Sequence, residues 1–350
     1  MNSVLSSKPA KDIVVQQLLK PFLVHLDREG VTEVWANKPG ELWSRTFGSK
    51  ERHEVPELTW GYMQSFAVAL ATYNGLPVKS VMSIVFPEGQ RGQIVMPPAC
   101  IDGMFALLIR KHAMVVKSLE QLEAEGCFES FVDVSFNKPT DVEAAAMTER
   151  RDFTRLEPFE VELLRLKREG RVREFLEQCV LTKRNLVIAG KTGSGKTTFA
   201  RSLIEKVPSY ERLLTIQDVH ELFLNHSDHF HLMYGPGTGR VSADECLAAC
   251  MRLSPDRIFL SELRGNEAWE YVNSLNTGHP GSITTTHSNN ALETYQRITT
   301  LIKKSEVGRL IDVDTIKTEL YRTLDVVLYF KDRQLIEVFY DPIFSKSKIA

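Results

Sequence analysis

The 350-residue sequence has no uninterrupted apolar run near the roughly 18 residues that a membrane-spanning helix needs. Its longest apolar stretches, residues 104–109 and 113–116, are short and separated by Arg110, Lys111 and His112. It also lacks a charge excess. Forty-three Lys and Arg against 45 Asp and Glu leave a net charge of -2, so no global basic surface draws it to nucleic acid. Cysteine is scarce: Cys100, Cys127, Cys179, Cys246 and Cys250 form no C-x-x-C pair. That excludes a four-cysteine zinc module, and the odd, scattered count suits free thiols in a reducing compartment. Cys246 and Cys250, four apart, read as packing residues of one helix. The opening MNSVLSSKPAKDIVV carries two lysines but no apolar core or small-residue cleavage site, so it is not expected to be a secretory signal. There is no internal repeat and no low-complexity tract. What is present, 43% hydrophobic and 25% charged residues, is ordinary globular composition. At about 150 residues per domain the length predicts two domains.

Residues 1–140 read as a smaller α+β domain. Thr32 to Ala36 alternates as a short strand stopped by Asn37-Lys38-Pro39-Gly40, with residues 42–47 as its hairpin partner. Residues 58–73 have helical apolar spacing and end at Asn74-Gly75. Residues 83–86 and 92–96 read as strands about the turn Pro87-Glu88-Gly89, and residues 105–110 as another. Residues 141–178, rich in arginine and glutamate, read as an interdomain linker with helical segments. From 179 to 350 strands and helices alternate, with strands at 185–189, 213–217, 258–260 and 282–286. Such alternation predicts an α/β domain with helices over a largely parallel sheet.

The strongest chemical signal is Gly190-Lys191-Thr192-Gly193-Ser194-Gly195-Lys196-Thr197, which matches G-x-x-x-x-G-K-[ST] in full. An apolar strand enters it and a helix, continuing through Thr198, leaves it. Phosphates need close backbone approach, which glycine permits, and the loop amides and helix N-terminus offer positive potential. Gly190, Thr192, Gly193, Ser194, Gly195, Lys196, Thr197 and Thr198 are therefore the candidate nucleotide ligands. Lys196 is expected to reach the β- and γ-phosphates, and the Thr197 hydroxyl to ligate Mg²⁺. A P-loop alone does not separate a hydrolase from a small-molecule kinase. A second apolar strand ends in Ser261-Glu262, where Glu262 is placed to orient and activate a water. Gln217-Asp218-Val219-His220-Glu221 also sits at a strand end, where open α/β sheets bind ligands. Thr277-Gly278-His279-Pro280-Gly281 leads into a threonine-rich strand ending at His287. Asn225-His226-Ser227-Asp228-His229-Phe230-His231 offers a weak metal possibility, and residues 235–240 read as a mobile loop whose Arg240 could cross a subunit boundary.

These four segments resemble, in order and spacing, the Walker A, Asp box, Walker B and His box of the secretion and conjugation ATPases. Those are the hexameric traffic NTPases of bacterial secretion and pilus machines. The wording Ser261-Glu262-Leu263-Arg264-Gly265 and Thr277-Gly278-His279-Pro280-Gly281 is most similar to the type IV secretion branch, as is residues 31–41. The resemblance implies a RecA-like P-loop C-terminal domain with a smaller α+β N-terminal domain, and ATP with Mg²⁺ held between them in a homohexameric ring. It further implies a cytoplasmic enzyme, peripheral at the inner membrane, that works with other secretion-system ATPases and inner-membrane components. No sequence-specific nucleic-acid binding is expected. The implied catalytic set is Lys196, Glu262, His287, Asp218 and Glu221, with Arg91 and Arg110 reaching the phosphates from the N-terminal domain; His279 is a weaker candidate.

One departure stands out. The Asp box usually opens with a Glu-Asp pair, whereas here Gln217 precedes Asp218. Gln217 is no base, though an amide can hydrogen-bond a water, so the burden shifts to Glu262. Three other readings remain open. A type II secretion or pilus extension motor is disfavoured by the absence of C-x-x-C, and a retraction motor, which lacks that module too, by the Ser-Glu-Leu-Arg-Gly wording and the N-terminal segment. A nucleic-acid translocase lacks a basic stripe. A silent nucleotide-binding subunit is kept open by Gln217.

Overall fold

A computed structural model describes residues 10–46, 48–111, 116–235 and 240–348. They divide into two compact units, one built from residues up to 111 together with Arg240, and the other from residues 116–235 and 241 onward.

The first unit is a six-stranded antiparallel sheet with two helices. Its strands run in the order Ser49–Glu54, Glu41–Thr46, Glu33–Ala36, Ala106–Arg110, Arg91–Val95, Val81–Val85. Period-two alternation turns Val34 and Ala36, and Leu107 and Ile109, toward the core. The helix Ala10–Leu26 buries Val15, Leu19, Phe22 and Leu26, spaced as one helical stripe. The helix Trp60–Tyr73 meets it with Met63, Phe66 and Leu70. Thr59 caps that helix by accepting from the Tyr62 N–H, and Asn74 ends it by donating to Leu70 O while accepting from Val85 N–H. The strand Ser49–Glu54 has no apolar alternation and was not legible in the sequence; it lies at the sheet edge and is held by main-chain pairing to Glu41–Thr46.

The second unit carries the P-loop. Three parallel strands, His229–Met233, Leu213–Gln217 and Arg257–Leu260, form one sheet. A second sheet has the order Ile283–Thr286, Leu186–Gly190, Val326–Lys331, Gln334–Tyr340, Val132–Asp133. The two abut where Leu263 N–H donates to Thr285 O and the Thr285 hydroxyl donates to Ser261 O. The strands Leu186–Gly190, Leu213–Gln217, Arg257–Leu260 and Ile283–Thr286 are buried along their whole length, which is why they read as continuous apolar or hydroxyl runs. They are parallel, so their carboxyl ends reach one edge together.

Residues 141–178 are not a linker in this fold. The helices Asp141–Ala146, Pro158–Arg168 and Val172–Leu181 belong to the second unit, where Leu163, Leu164, Phe175, Leu176 and Cys179 share a core with Leu186, Ile188 and Phe199. The boundary expected near 140 accordingly lies between 111 and 116. The charges that suggested a linker pair along the helix surfaces, as in Arg165 with Glu162 and Glu169, and leave an apolar stripe free to pack. Among the described residues no helix is long and apolar enough to cross a membrane.

Arg257 pins the opposite edge of the sheet. It is fully buried, donates twice to Glu211 at 2.7 and 2.9 Å, and reaches Val180 O at 2.8 Å. Burial works to raise the Glu211 carboxyl, but Arg257 and Lys183 outweigh it and the group is held low. His279 lies at this edge, its Nδ1 3.1 Å from Pro255 O, at the start of the strand that ends at the P-loop side. Removing one member of a buried pair strands its partner. Arg257→Met is expected to destabilise the chain by about 3 kcal/mol, read as a lower midpoint in denaturant titration.

Candidate active site

The strand Leu186–Gly190 runs into the loop 191–195 and the helix Lys196–Ile204. Gly190 is tightly enclosed: a Cβ there would stand 2.3 Å from Phe330 O and 2.7 Å from Ser194 Oγ. Gly195 caps the helix in the left-handed region, φ 98°, where a side chain is disfavoured. The loop thus turns straight into a helix N-terminus, where the first amides have no intrahelical acceptor. Lys196 is buried to 7% exposure. Its Nζ donates to Gly190 O at 2.8 Å and Lys191 O at 2.9 Å. Thr197 and Thr198 follow, half-buried, in the first turn. Thr192 and Gly193 are exposed on the loop, and the Ser194 hydroxyl is buried without a hydrogen-bond partner. A loop with no room for side chains, an ammonium held on backbone carbonyls and an unsatisfied hydroxyl fit a polyphosphate with its magnesium ion: Lys196 and the loop amides would hold the phosphates, and Thr197 the metal.

Beside Lys196 a chain of side chains crosses the strand ends. His287 Nδ1 lies 3.1 Å from Gly190 O and 3.4 Å from Lys196 Nζ. Its Nε2 lies 2.7 Å from Glu262 Oε1. Glu262 Oε2 accepts from Arg264 Nη2 at 2.6 Å, and Arg264 Nη1 reaches Asp218 Oδ2 at 2.6 Å. Burial disfavours the Arg264 charge, but Glu262 and Asp218 outweigh that and raise its pKa. Arg264 is itself held by Glu267, whose Oε1 accepts the backbone N–H of Arg264 at 2.7 Å and of Gly265 at 2.8 Å. A cleft of about 720 Å³ opens from Lys191, Thr192 and His287 along the helix Ala291–Lys304 as far as Arg297 and Thr300.

The structure therefore brings together Lys196, His287, Glu262 and Asp218 from four separate segments. Glu221 is half-buried in the same loop as Asp218, its N–H donating to Gln217. His279 is not part of the cluster. Gln217 is fully buried and bonded to Thr215, Glu221 and Leu222, so the expectation that it addresses a water does not hold. His226 contacts Val207 O and His229 the carbonyl of His226; no metal-holding cluster of His, Cys, Asp or Glu occurs among the described residues. Residues 236–239 of the glycine-rich loop lie outside the described residues. Arg91 and Arg110 face each other as register partners on neighbouring strands of the first unit, Arg110 with its Nε 3.4 Å from Glu33.

Relatives match this chain in sequence over nearly its whole length. The type IV secretion system protein VirB11 of Brucella suis biovar 1 (strain 1330) is 35% identical over 341 residues, spanning 93% of this chain and 89% of that protein. The chain belongs to the VirB11 family of type IV secretion ATPases. Protein VirB11 of Agrobacterium fabrum (strain C58 / ATCC 33970) is 32% identical over 321 residues, 90% of this chain and 88% of that one. Residues 152–331 match the model of the type II/IV secretion system protein family. The crystal structure of the Brucella suis VirB11 ATPase in complex with sulphate superposes with a TM-score of 0.54 at 34% identity, over 95% of this chain and 99% of that chain. The pilus retraction motor PilT with bound ADP, at 17% identity, covers 92% of this chain and 82% of its own and shares the fold, TM-score 0.57. These matches bear out the RecA-like α/β reading.

In the sequence Arg264 stands only as part of the Ser261–Gly265 motif, and nothing in that motif singles out Glu267. The spacing Arg264-x-x-Glu267 at a helix start is the signal that was there to find, because a carboxylate at a helix N-terminus accepts the preceding amides. The enclosure of Gly190 sets a test: Gly190→Ala is expected to cost about 1–3 kcal/mol through overpacking and to weaken nucleotide uptake, measured by denaturant titration and calorimetry.

Proposed function

We propose that this VirB11-family ATPase hydrolyses Mg²⁺-ATP as a homohexameric ring on the cytoplasmic face of the inner membrane. There it drives type IV secretion, with cargo handed on by other ATPases and inner-membrane components of the apparatus. The observation that carries the reading is the unbroken line Lys196–His287–Glu262–Arg264–Asp218 beside the P-loop. Bound Mg²⁺ supplies charge neutralisation at the phosphates. Lys196, leaving its two carbonyls, binds the transferred phosphoryl group. Glu262 orients the attacking water and takes its proton, while Arg264 and His287 fix the carboxylate between them. His287, in reach of both Lys196 and Glu262, is placed to report the γ-phosphate to the base. Asp218 and Glu221 hold the far side of the line through Arg264 and the Asp-box loop. Arg91 and Arg110 act from the first unit, their guanidinium forks matched to the spread charge of the transition state.

Glu262→Gln keeps size and hydrogen bonding but removes the base. It is expected to leave ATP affinity within about threefold and to slow phosphate release about a hundredfold or more, read by calorimetry and a phosphate assay. Wild-type turnover in that variant removes Glu262 from the role. Light scattering with Mg²⁺-ATP is expected to give a hexamer; a monomer under every condition overturns the ring.

A further inference from the structure

Gln217 ends the strand Leu213–Gln217 with a side chain fully buried from solvent. Its neighbours decide which way the amide points. The backbone N–H groups of Glu221 and Leu222 lie 2.8 and 2.7 Å from one terminal atom. Both are donors, so that atom is the carbonyl oxygen and the other the nitrogen. The nitrogen then donates to Thr215 Oγ1 at 2.7 Å. Thr215 is also fully buried, and its hydroxyl oxygen lies 2.6 Å from His231 Nδ1. One hydrogen order satisfies every one of these contacts, running from Gln217 to Thr215 to His231 and leaving His231 Nδ1 as the accepting nitrogen.

The surroundings agree. His231 faces His220, from the loop after the strand, with ring centroids 4.5 Å apart, and His229, from its own strand, at 4.9 Å. Burial, with these two imidazoles, lowers its pKa to about 4. The Gln217 nitrogen also lies 3.4 Å from Nδ1 of both His220 and His231, and as a donor it suits unprotonated rings.

We infer that Gln217 is a positioning residue for the ATPase centre: its carbonyl oxygen pins the loop that carries Asp218 and Glu221, and its amide sets the hydrogen order of Thr215 and His231 behind that loop. The inference rests on the functional reading in which Asp218, joined to Glu262 through Arg264, serves the nucleotide. A carboxylate at 217 would keep both loop bonds but has no hydrogen to give. Thr215 would then donate to it, and His231 Nδ1 would have to carry the hydrogen instead. The pocket is built around an amide.

The test combines imidazole nitrogen NMR on the full, nucleotide-free chain with steady-state kinetics. In the wild type at pH 7, His231 is expected to have a bare Nδ1. In Gln217→Glu that nitrogen should carry hydrogen and His231 should titrate at higher pH. The same variant should show the acid limb of its pH–rate profile at higher pH than the wild type does. Gln217→Leu, which frees the loop, should lose about tenfold or more in kcat while the KM for ATP stays within about threefold. If that variant does not fold, Gln217→Asn, too short to reach both loop amides, is expected to show the same kcat loss. A hydrogen on Nδ1 in the wild type, or unchanged kcat in the loop-freeing variant, overturns the inference. Absence of ATP uptake by the wild type sinks the functional reading instead and leaves the tautomer result standing.

Discussion

Glu262 stands at the end of a wholly buried strand with a basic group on either side, and the nucleotide face is arranged around keeping it there. A carboxylate emerging from such a strand is largely shielded from water, and its placement is favourable only beside groups that compensate its charge. Arg264 donates to one oxygen, and the His287 ring lies 2.7 Å from the other. Each of these has a second attachment: His287 at Gly190 O, Arg264 at Asp218. The P-loop, the Asp box, the Walker B strand and the His box are thereby joined through one acid. None of the four could shift without disturbing the charge balance of the others.

The legible parts of this molecule are those whose chemistry constrains sequence locally. The P-loop could be read because glycine is needed where Gly190 presses on Phe330 O. The parallel strands could be read because burial on both faces forces continuous apolar runs. The convergence of Lys196, Glu262, His287 and Asp218 was foreseeable from strand–helix alternation, since parallel strands deliver their carboxyl ends to one edge.

What stayed hidden depends on partners distant in the chain. The helices within 141–178 interleave charged with apolar residues, and only their spacing betrays the buried stripe of Leu163, Leu164, Phe175 and Leu176. Arg264 could not be tied to Asp218, 46 residues earlier, without knowing that their strands are neighbours. Gln217 was read by the chemistry of an exposed amide, whereas the fold closes over it; exposure at a strand end is set by the following loop, which composition alone does not describe. His279, in a glycine-rich turn much like a binding loop, belongs to the start of a strand rather than its end.

The two-residue strand Val132–Asp133 pairs with Glu337 and Val338, and Cys127 bonds to Arg333 across 206 positions of sequence. During synthesis, the helical stretch that precedes the P-loop emerges long before its partners at Arg333, Glu337 and Val338 exist. Contacts of such separation form slowly because a long loop must close first. The stripe on 158–181 finds Leu186, Ile188 and Phe199 at once but is not fully covered until Leu328, Leu335 and Val338 have emerged, so this core closes in two stages.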